Sequence, residues 1–192
     1  EQVDRMADVV ITDEEVEFMT THCVWLPLWY FTFLKGYRFN PAEVAISQDE
    51  EGHLEIKIQG KWFSTIMWEM PLLSCISEII HTLNGDMERY DVEAERQKAA
   101  DKARRIFENG LVLGDMGTRR RFSYSHQEMV LKTMTEVYRS QEWTGTFTGT
   151  SNVYLAMELG LKPLGTLSHQ IISFEGNVSG VFECNYMVMK KF

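Results

Sequence analysis

Residues 111–166 read LVLGDMGTRRRFSYSHQEMVLKTMTEVYRSQEWTGTFTGTSNVYLAMELGLKPLGT, and two kinds of segment alternate along them. Short β-type runs at Leu111 to Asp115, Thr144 to Thr148 and Pro163 to Gly165 are separated by helical patterns at Ser125 to Tyr138 and Val153 to Leu159. Ser125 followed three residues later by Glu128 is a capping-box signature for the longer helix. Strands that alternate with helices imply parallel pairing, hence an α/β fold. Three Gly-Thr pairs, Gly117-Thr118, Gly149-Thr150 and Gly165-Thr166, close the three strands and therefore share one sheet edge. At that C-terminal edge loops converge and helix N-termini present unpaired N–H groups, so it is where α/β folds build ligand sites.

The residues after each pair differ, and together they suit an anion. Arg119, Arg120 and Arg121 follow the first pair, Ser151 and Asn152 the second, and Leu167, Ser168 and His169 the third. Guanidinium groups grip phosphate or carboxylate with paired donors, Ser and Asn cap helices, and a histidine supplies acid, base or nucleophile. Each feature alone also has a plain reading: turn chemistry for Gly-Thr, a solvated loop for the arginines, a hydrogen-bonded neighbour of the core for His169. His22, His53, His81 and His126 have no partners at ligand spacing, and Glu69 beside Pro71 reads equally well as a helix-start acid. No GxGxxG or GxxxxGK signature occurs.

Upstream, Thr12 and Glu15 form a capping box for an acidic helix from Asp13 to about His22. Leu26, Trp29, Tyr30, Phe33, Leu34 and Tyr37 then recur at helical spacing. From Val44 the period becomes two, with a polar turn at Gln48 to Gly52 before Leu54, Ile56 and Ile58, which predicts a β-hairpin. Trp62 to Met67 reads as a further strand. Pro71 then starts an apolar helix to Leu83 that should be buried on most sides, and a charged helix at about Glu88 to Glu108 should be a solvated outer face.

Nineteen Lys and Arg against 28 Asp and Glu give a net charge of -9, which argues against a nucleic-acid partner. Lys35, Glu69, Pro71 and Glu78 interrupt the longest apolar runs, so no membrane span of ~18 residues is expected. Three widely spaced cysteines without a CxxC suit a reducing, cytoplasmic setting. The 192 residues and a mean hydropathy of -0.23 describe one globular domain or little more.

In order, FLKGYRFNPAEVAI, IMWEMPLLSCISEIIH, GDMGTRRRFS, FTGTSNVYLAMELGLKPLGT and LSHQ resemble the nicotinate phosphoribosyltransferases of bacterial and fungal type, over about Leu26 to Gln170. The resemblance implies a partial irregular α/β barrel, type II phosphoribosyltransferase-like, whose first units are 111–170. It implies an N-terminal α+β domain with a β-hairpin at 1–110, and leaves 171–192 as a tail without likeness. The implied reaction joins nicotinate to phosphoribosyl pyrophosphate, giving nicotinate mononucleotide and pyrophosphate, with Mg²⁺ and with ATP as co-substrate through a phosphorylated histidine. By matching position that histidine is His169. Thr166 is an implied nicotinate contact. Arg119, Arg120 and Arg121 with Thr150, Ser151 and Asn152 should line the base and phosphoribosyl site, and Ser168 stands beside them. No protein metal ligands are expected, and a homodimer is implied for the full-length relative.

Three departures from the family's pattern qualify these expectations. Glu1 lies beyond the family's N-terminal strand with its Tyr. His169 is followed by Gln170, Ile171 and Ile172 where the family continues with Glu and an aromatic, and the ending from Ser173 reads as foreign. The chain is also short for a barrel, which needs about 200 residues to itself. The competing reading is a catalytically incompetent remnant that binds anions or pairs with a full-length subunit. Nicotinamide phosphoribosyltransferases fit less well, because Ser151 stands where they carry Asp.

Overall fold

The computed structural model describes residues 1–191. A one-turn helix α1 (Gln2–Arg5) precedes α2 (Asp13–His22), where Thr12 and Glu15 form the expected capping box. The aromatic run becomes α3 (Leu28–Gly36), and Met19, Cys23 and Phe31 join α2 to α3 in a small core. The hairpin follows as antiparallel β1 (Val44–Gln48) and β2 (Leu54–Ile58), with Ile46 opposite Ile56.

The strand expected at Trp62 to Met67 is instead the helix α4 (Trp62–Thr65) and a 3₁₀ turn at Ile66–Trp68. Polar anchoring outweighs β propensity here. Ser64 and Trp68 lie four residues apart, which in a helix puts them on one side, and both donate to the Glu43 carboxylate, at 2.7 and 3.0 Å. Trp68 is fully buried and meets the Phe39 ring edge-on at 4.7 Å.

Helix α5 (Glu69–Leu83) begins two residues before Pro71, which sits in the first turn where its missing N–H costs nothing. The expectation that this helix is buried on most sides fails: Leu72 and Ser74 are buried, whereas Ile79, Ile80 and Leu83 are 47, 49 and 80% exposed. Together α4 and α5 make a 22-residue helical run that by length and composition is able to cross a membrane. Polar bonds tie it to the rest of the chain, however: Ser74 Oγ donates to the Thr118 carbonyl at 2.9 Å, and Glu78 accepts from the Tyr124 N–H at 3.2 Å.

Asp91 caps α6 (Val92–Glu108) by accepting from Glu93 and Ala94, so this helix starts four residues later than expected. It is not only an outer face, because Ala99, Ala100, Ala103 and Phe107 are buried. The segment 111–166 then forms β3 (Val112–Asp115), α7 (Tyr124–Arg139), β4 (Thr146–Thr150) and α8 (Val153–Leu159). The cap of α7 is Ser123, which accepts from the His126 N–H, rather than Ser125. β4 ends two residues later than expected, and the Pro163 strand reduces to a single parallel bridge with Thr150.

β3 and β4 pair in parallel, as Leu113 with Phe147 and Asp115 with Thr150. Phe107, Leu131, Val137, Phe147 and Leu155 form the core beneath them. Gly149 has φ +127°, and a Cβ there would lie 1.9 Å from the Lys162 carbonyl oxygen. A glycine is needed for β4 to approach the Pro163 segment. Helices α9 (His169–Ser179) and α10 (Cys184–Lys191) pair with each other, burying Glu175, Cys184 and Val188.

Candidate anion-binding site

The Asp115 side chain assembles the sheet edge. Its Oδ1 accepts from the Gly117 N–H at 3.0 Å, while Oδ2 accepts from Thr150 Oγ1 at 2.7 Å and from Gln127 Nε2 at 3.1 Å. Its main-chain carbonyl takes the Ser151 N–H at 2.8 Å. Gln127, buried on α7, donates again to Thr118 Oγ1 at 2.9 Å. One carboxylate thus fixes the loop after β3, the loop after β4 and the start of α7. Each partner is a neutral donor, and Asp115 has no ion pair among the described residues.

Above this network lies a cleft of about 620 Å³ lined by Met70, Met116, Gly117, Arg119, Arg120, Ser151 and Thr166. Four expected site residues, Arg119, Arg120, Ser151 and Thr166, therefore meet in one cavity at the C-terminal ends of parallel strands. Arg119 pairs through Nη2 with Glu69 Oε1 at 2.9 Å. The Arg120 guanidinium has no ion pair or hydrogen bond among the described residues. A cavity with one paired and one unpaired guanidinium and the hydroxyl-bearing Ser151 and Thr166 in its lining is suited to a polyanion.

The other expected residues stand elsewhere. Thr150 is fully buried and spends its hydroxyl on Asp115 and on the Asn152 N–H. Asn152 caps α8 by accepting from Leu155. Arg121 turns away, with its guanidinium 5.2 Å from the centre of the Tyr124 ring. Its charge partly opposes the burial that pushes the Cys75 thiol up. Ser168 caps α9 and faces an aromatic cleft with Trp29, Tyr30, Phe33, Trp62 and Phe63. His169 is the exposed first residue of α9 and does not line the 620 Å³ cleft. Its neighbour Gln170 donates through Nε2 to Glu69 Oε2 at 2.8 Å. Glu69 therefore joins Arg119 to the start of the His169 helix.

Two histidines without partners at ligand spacing turn out to be structural anchors of the arginine loop. Phe122, directly after Arg121, lies 4.7 Å from the His81 ring, 4.9 Å from Tyr90 and 5.5 Å from His126. The Tyr90 hydroxyl bonds His126 Nδ1 at 2.7 Å, and His81 bonds Asp86 at 2.9 Å. Burial holds the His126 imidazole below its ordinary value, against the opposing charge of Glu95. Reading by motif missed Asp115, Gln127 and the Glu69 link. Asp115 was open to notice, since it stands two residues before Gly117 inside GDMGT.

Comparison with known proteins bears on the same residues. Residues 1–77 match the nicotinate phosphoribosyltransferase N-terminal domain, and residues 111–188 match the nicotinate phosphoribosyltransferase family. The second match runs through α9 and into α10, so the stretch after Gln170 that reads as foreign is part of the family's domain; its two short helices bury little besides each other, which leaves only a weak apolar period to read. A nicotinate phosphoribosyltransferase of Chromohalobacter salexigens is 37% identical over 190 residues, covering 99% of this chain and 47% of the relative. One of Methanosarcina acetivorans is 34% identical over 177 residues, covering 85% and 42%. The crystal structure of nicotinate phosphoribosyltransferase from Porphyromonas gingivalis aligns with TM-score 0.83 at 31% identity, over 98% of this chain and 47% of that one. A Saccharomyces cerevisiae structure aligns with TM-score 0.89 at 28% identity, over 99% and 48%. The chain spans about half the length of the curated relatives it matches. Two family matches, one on each side of the charged helix α6, and solved relatives that align along nearly all of its length agree that this chain belongs to the nicotinate phosphoribosyltransferase family.

Proposed function

We propose that the protein transfers a phosphoribosyl group from phosphoribosyl pyrophosphate to nicotinate, and that the cleft of Arg119, Arg120, Ser151 and Thr166 binds the anionic donor. The observation that carries this reading is the meeting of two guanidinium groups with Ser151 and Thr166 at the ends of parallel strands. As the pyridine nitrogen attacks the anomeric carbon and pyrophosphate leaves, positive charge grows on the ribosyl ring and negative charge on the leaving group. Guanidinium donors beside the leaving group stabilise that anion. Asp115 and Gln127 hold the two loops at the required separation, and Thr150 and Asn152 serve the same framework rather than the substrate.

Mg²⁺ fits this site as a companion of the substrate's phosphates. No group of three or more His, Cys, Asp or Glu side chains suited to a metal is present among the described residues. Mg²⁺ commonly binds through substrate phosphates, waters and at most one or two carboxylates. Bound there, it supplies charge neutralisation to the leaving pyrophosphate. ATP coupling belongs to the same reading. His169, exposed at the start of α9, is the proposed phosphoryl acceptor through an imidazole nitrogen. We also read β3, β4 and the Pro163 bridge as the first strands of an α/β barrel, in a cytoplasmic enzyme that assembles as a homodimer.

Titration of phosphoribosyl pyrophosphate into the protein, followed by calorimetry, tests the assignment. Arg119→Ala and Arg120→Ala each remove a charge-assisted bond worth about 1.5–3 kcal/mol, so affinity should fall roughly tenfold to a hundredfold. Unchanged affinity in both variants sinks the reading.

A further inference from the structure

Glu69, in the first turn of α5, stands between an arginine of the cleft and the first turn of the His169 helix. It touches Arg119 through one oxygen, Oε1, at 2.9 Å, and its other oxygen is occupied by Gln170 Nε2 at 2.8 Å. The contact with Arg119 is an ion pair outside the aligned hydrogen bonds of the structure, whereas a guanidinium offers five donors and a free carboxylate commonly takes two of them. Gln170 holds the second oxygen toward the start of α9. The pair is neither sealed nor open, with side-chain exposures of 39% for Arg119 and 29% for Glu69. An anion entering the cleft therefore meets an arginine already half engaged by a weak internal rival.

We propose that Glu69 is a positioning residue that competes with bound pyrophosphate for Arg119, and that Gln170 sets how strongly it competes. The inference rests on the reading of the cleft as a pyrophosphate-binding site. Two guanidinium groups with no internal counter-charge would hold a polyanionic product tightly. Glu69 returns to Arg119 as the anion leaves and so lowers the barrier to its release. By tying down Oε2, Gln170 keeps this competition too weak to exclude the substrate. Glu69 touches no reacting atom and acts only through Arg119.

The test is calorimetric titration of inorganic pyrophosphate at fixed ionic strength into the protein and four variants. Glu69→Gln should tighten binding by about threefold to fivefold, the scale of a partly exposed ion pair. In an Arg119→Met background the same change should have no effect. Gln170→Leu should weaken binding by about twofold or more, because Glu69 then engages Arg119 with both oxygens. A merely structural role predicts that Glu69→Gln and Gln170→Leu both weaken binding. If the wild-type protein binds pyrophosphate and Glu69→Gln binds it equally or more weakly, the competition is refuted while the cleft assignment stands. If the wild-type protein binds none, the cleft assignment falls and the proposal with it. Should Glu69→Gln fail to fold, judged by near-ultraviolet circular dichroism, Glu69→Ala takes its place: tighter binding that disappears in the Arg119→Met background supports the proposal, and equal or weaker binding overturns it.

Discussion

The unit from Phe107 to Gly165 and the unit from Val44 to Leu83 are both rich in large apolar side chains, but they dispose of them in opposite ways. In the first, Leu131 and Leu155 are 1% and 0% exposed; in the second, Ile46, Leu54 and Leu83 are 56, 57 and 80% exposed. Helix α5 is the more apolar of the long helices and the worse buried, while α7, half of it polar, inserts Met129, Leu131, Met134 and Val137 into the core. The difference lies in layering. The strands β3 and β4 have α6, α7 and α8 around them, whereas the hairpin meets α5 only across a cleft lined by Ile46, Leu54, Ile56, Leu72 and Ile76. Burial follows from having a neighbour on the right side, and apolarity alone does not provide one.

Three substitutions sharpen the contrast. The largest effect is expected at Gly149→Ala, which combines a left-handed backbone with a Cβ 1.9 Å from a main-chain oxygen. Relieving that overlap separates β4 from the Pro163 segment, so urea unfolding should show a loss of about 3 kcal/mol or more. A stability within 1 kcal/mol of wild type would mean that the strand approach is not what holds this unit closed. Next is Leu155→Ala, which empties a fully enclosed site under the sheet. Its cost should be about 2–5 kcal/mol, read as a lower urea midpoint at unchanged m-value. The smallest is Leu83→Lys at the exposed end of α5, for which unfolding should stay within about 0.5 kcal/mol. Sedimentation should show less self-association, since the variant interrupts an exposed apolar surface shared with Ile79 and Ile80. A large destabilisation by Leu83→Lys would erase the distinction between the two units.

The same contrast governs what the sequence made legible. The α/β order, the parallel pairing and the shared edge were readable because each element there carries its own period and its own cap. Val153–Leu159 came out with its bounds intact, since Asn152 and Gly160 punctuate it. Around Trp62 the signal failed, because the helix there is set by Glu43, nineteen residues upstream of Trp62, accepting from Ser64 and Trp68. The cleft was legible as residue types after each Gly-Thr pair. Which of them face it was not, because orientation depends on who bonds whom. Asp115 withdraws Thr150 from the cleft, Tyr124 draws Arg121 aside, and no local pattern announces either event.

The hydrogen bonds that close the sheet edge, Thr148 to Leu113 and Thr150 to Asp115, each span 35 residues of chain. Helices α6 and α7, capped by Asp91 and Ser123, are local structures that form on a microsecond scale or faster. The parallel contacts must first meet the entropy of closing a long loop. In time, then, the cleft is expected to assemble after the helices that flank it. A ligand spanning its two loops strengthens contacts absent from the folding transition state, so its effect falls on the rate of unfolding: occupancy prolongs the life of the folded chain and does not hasten its birth.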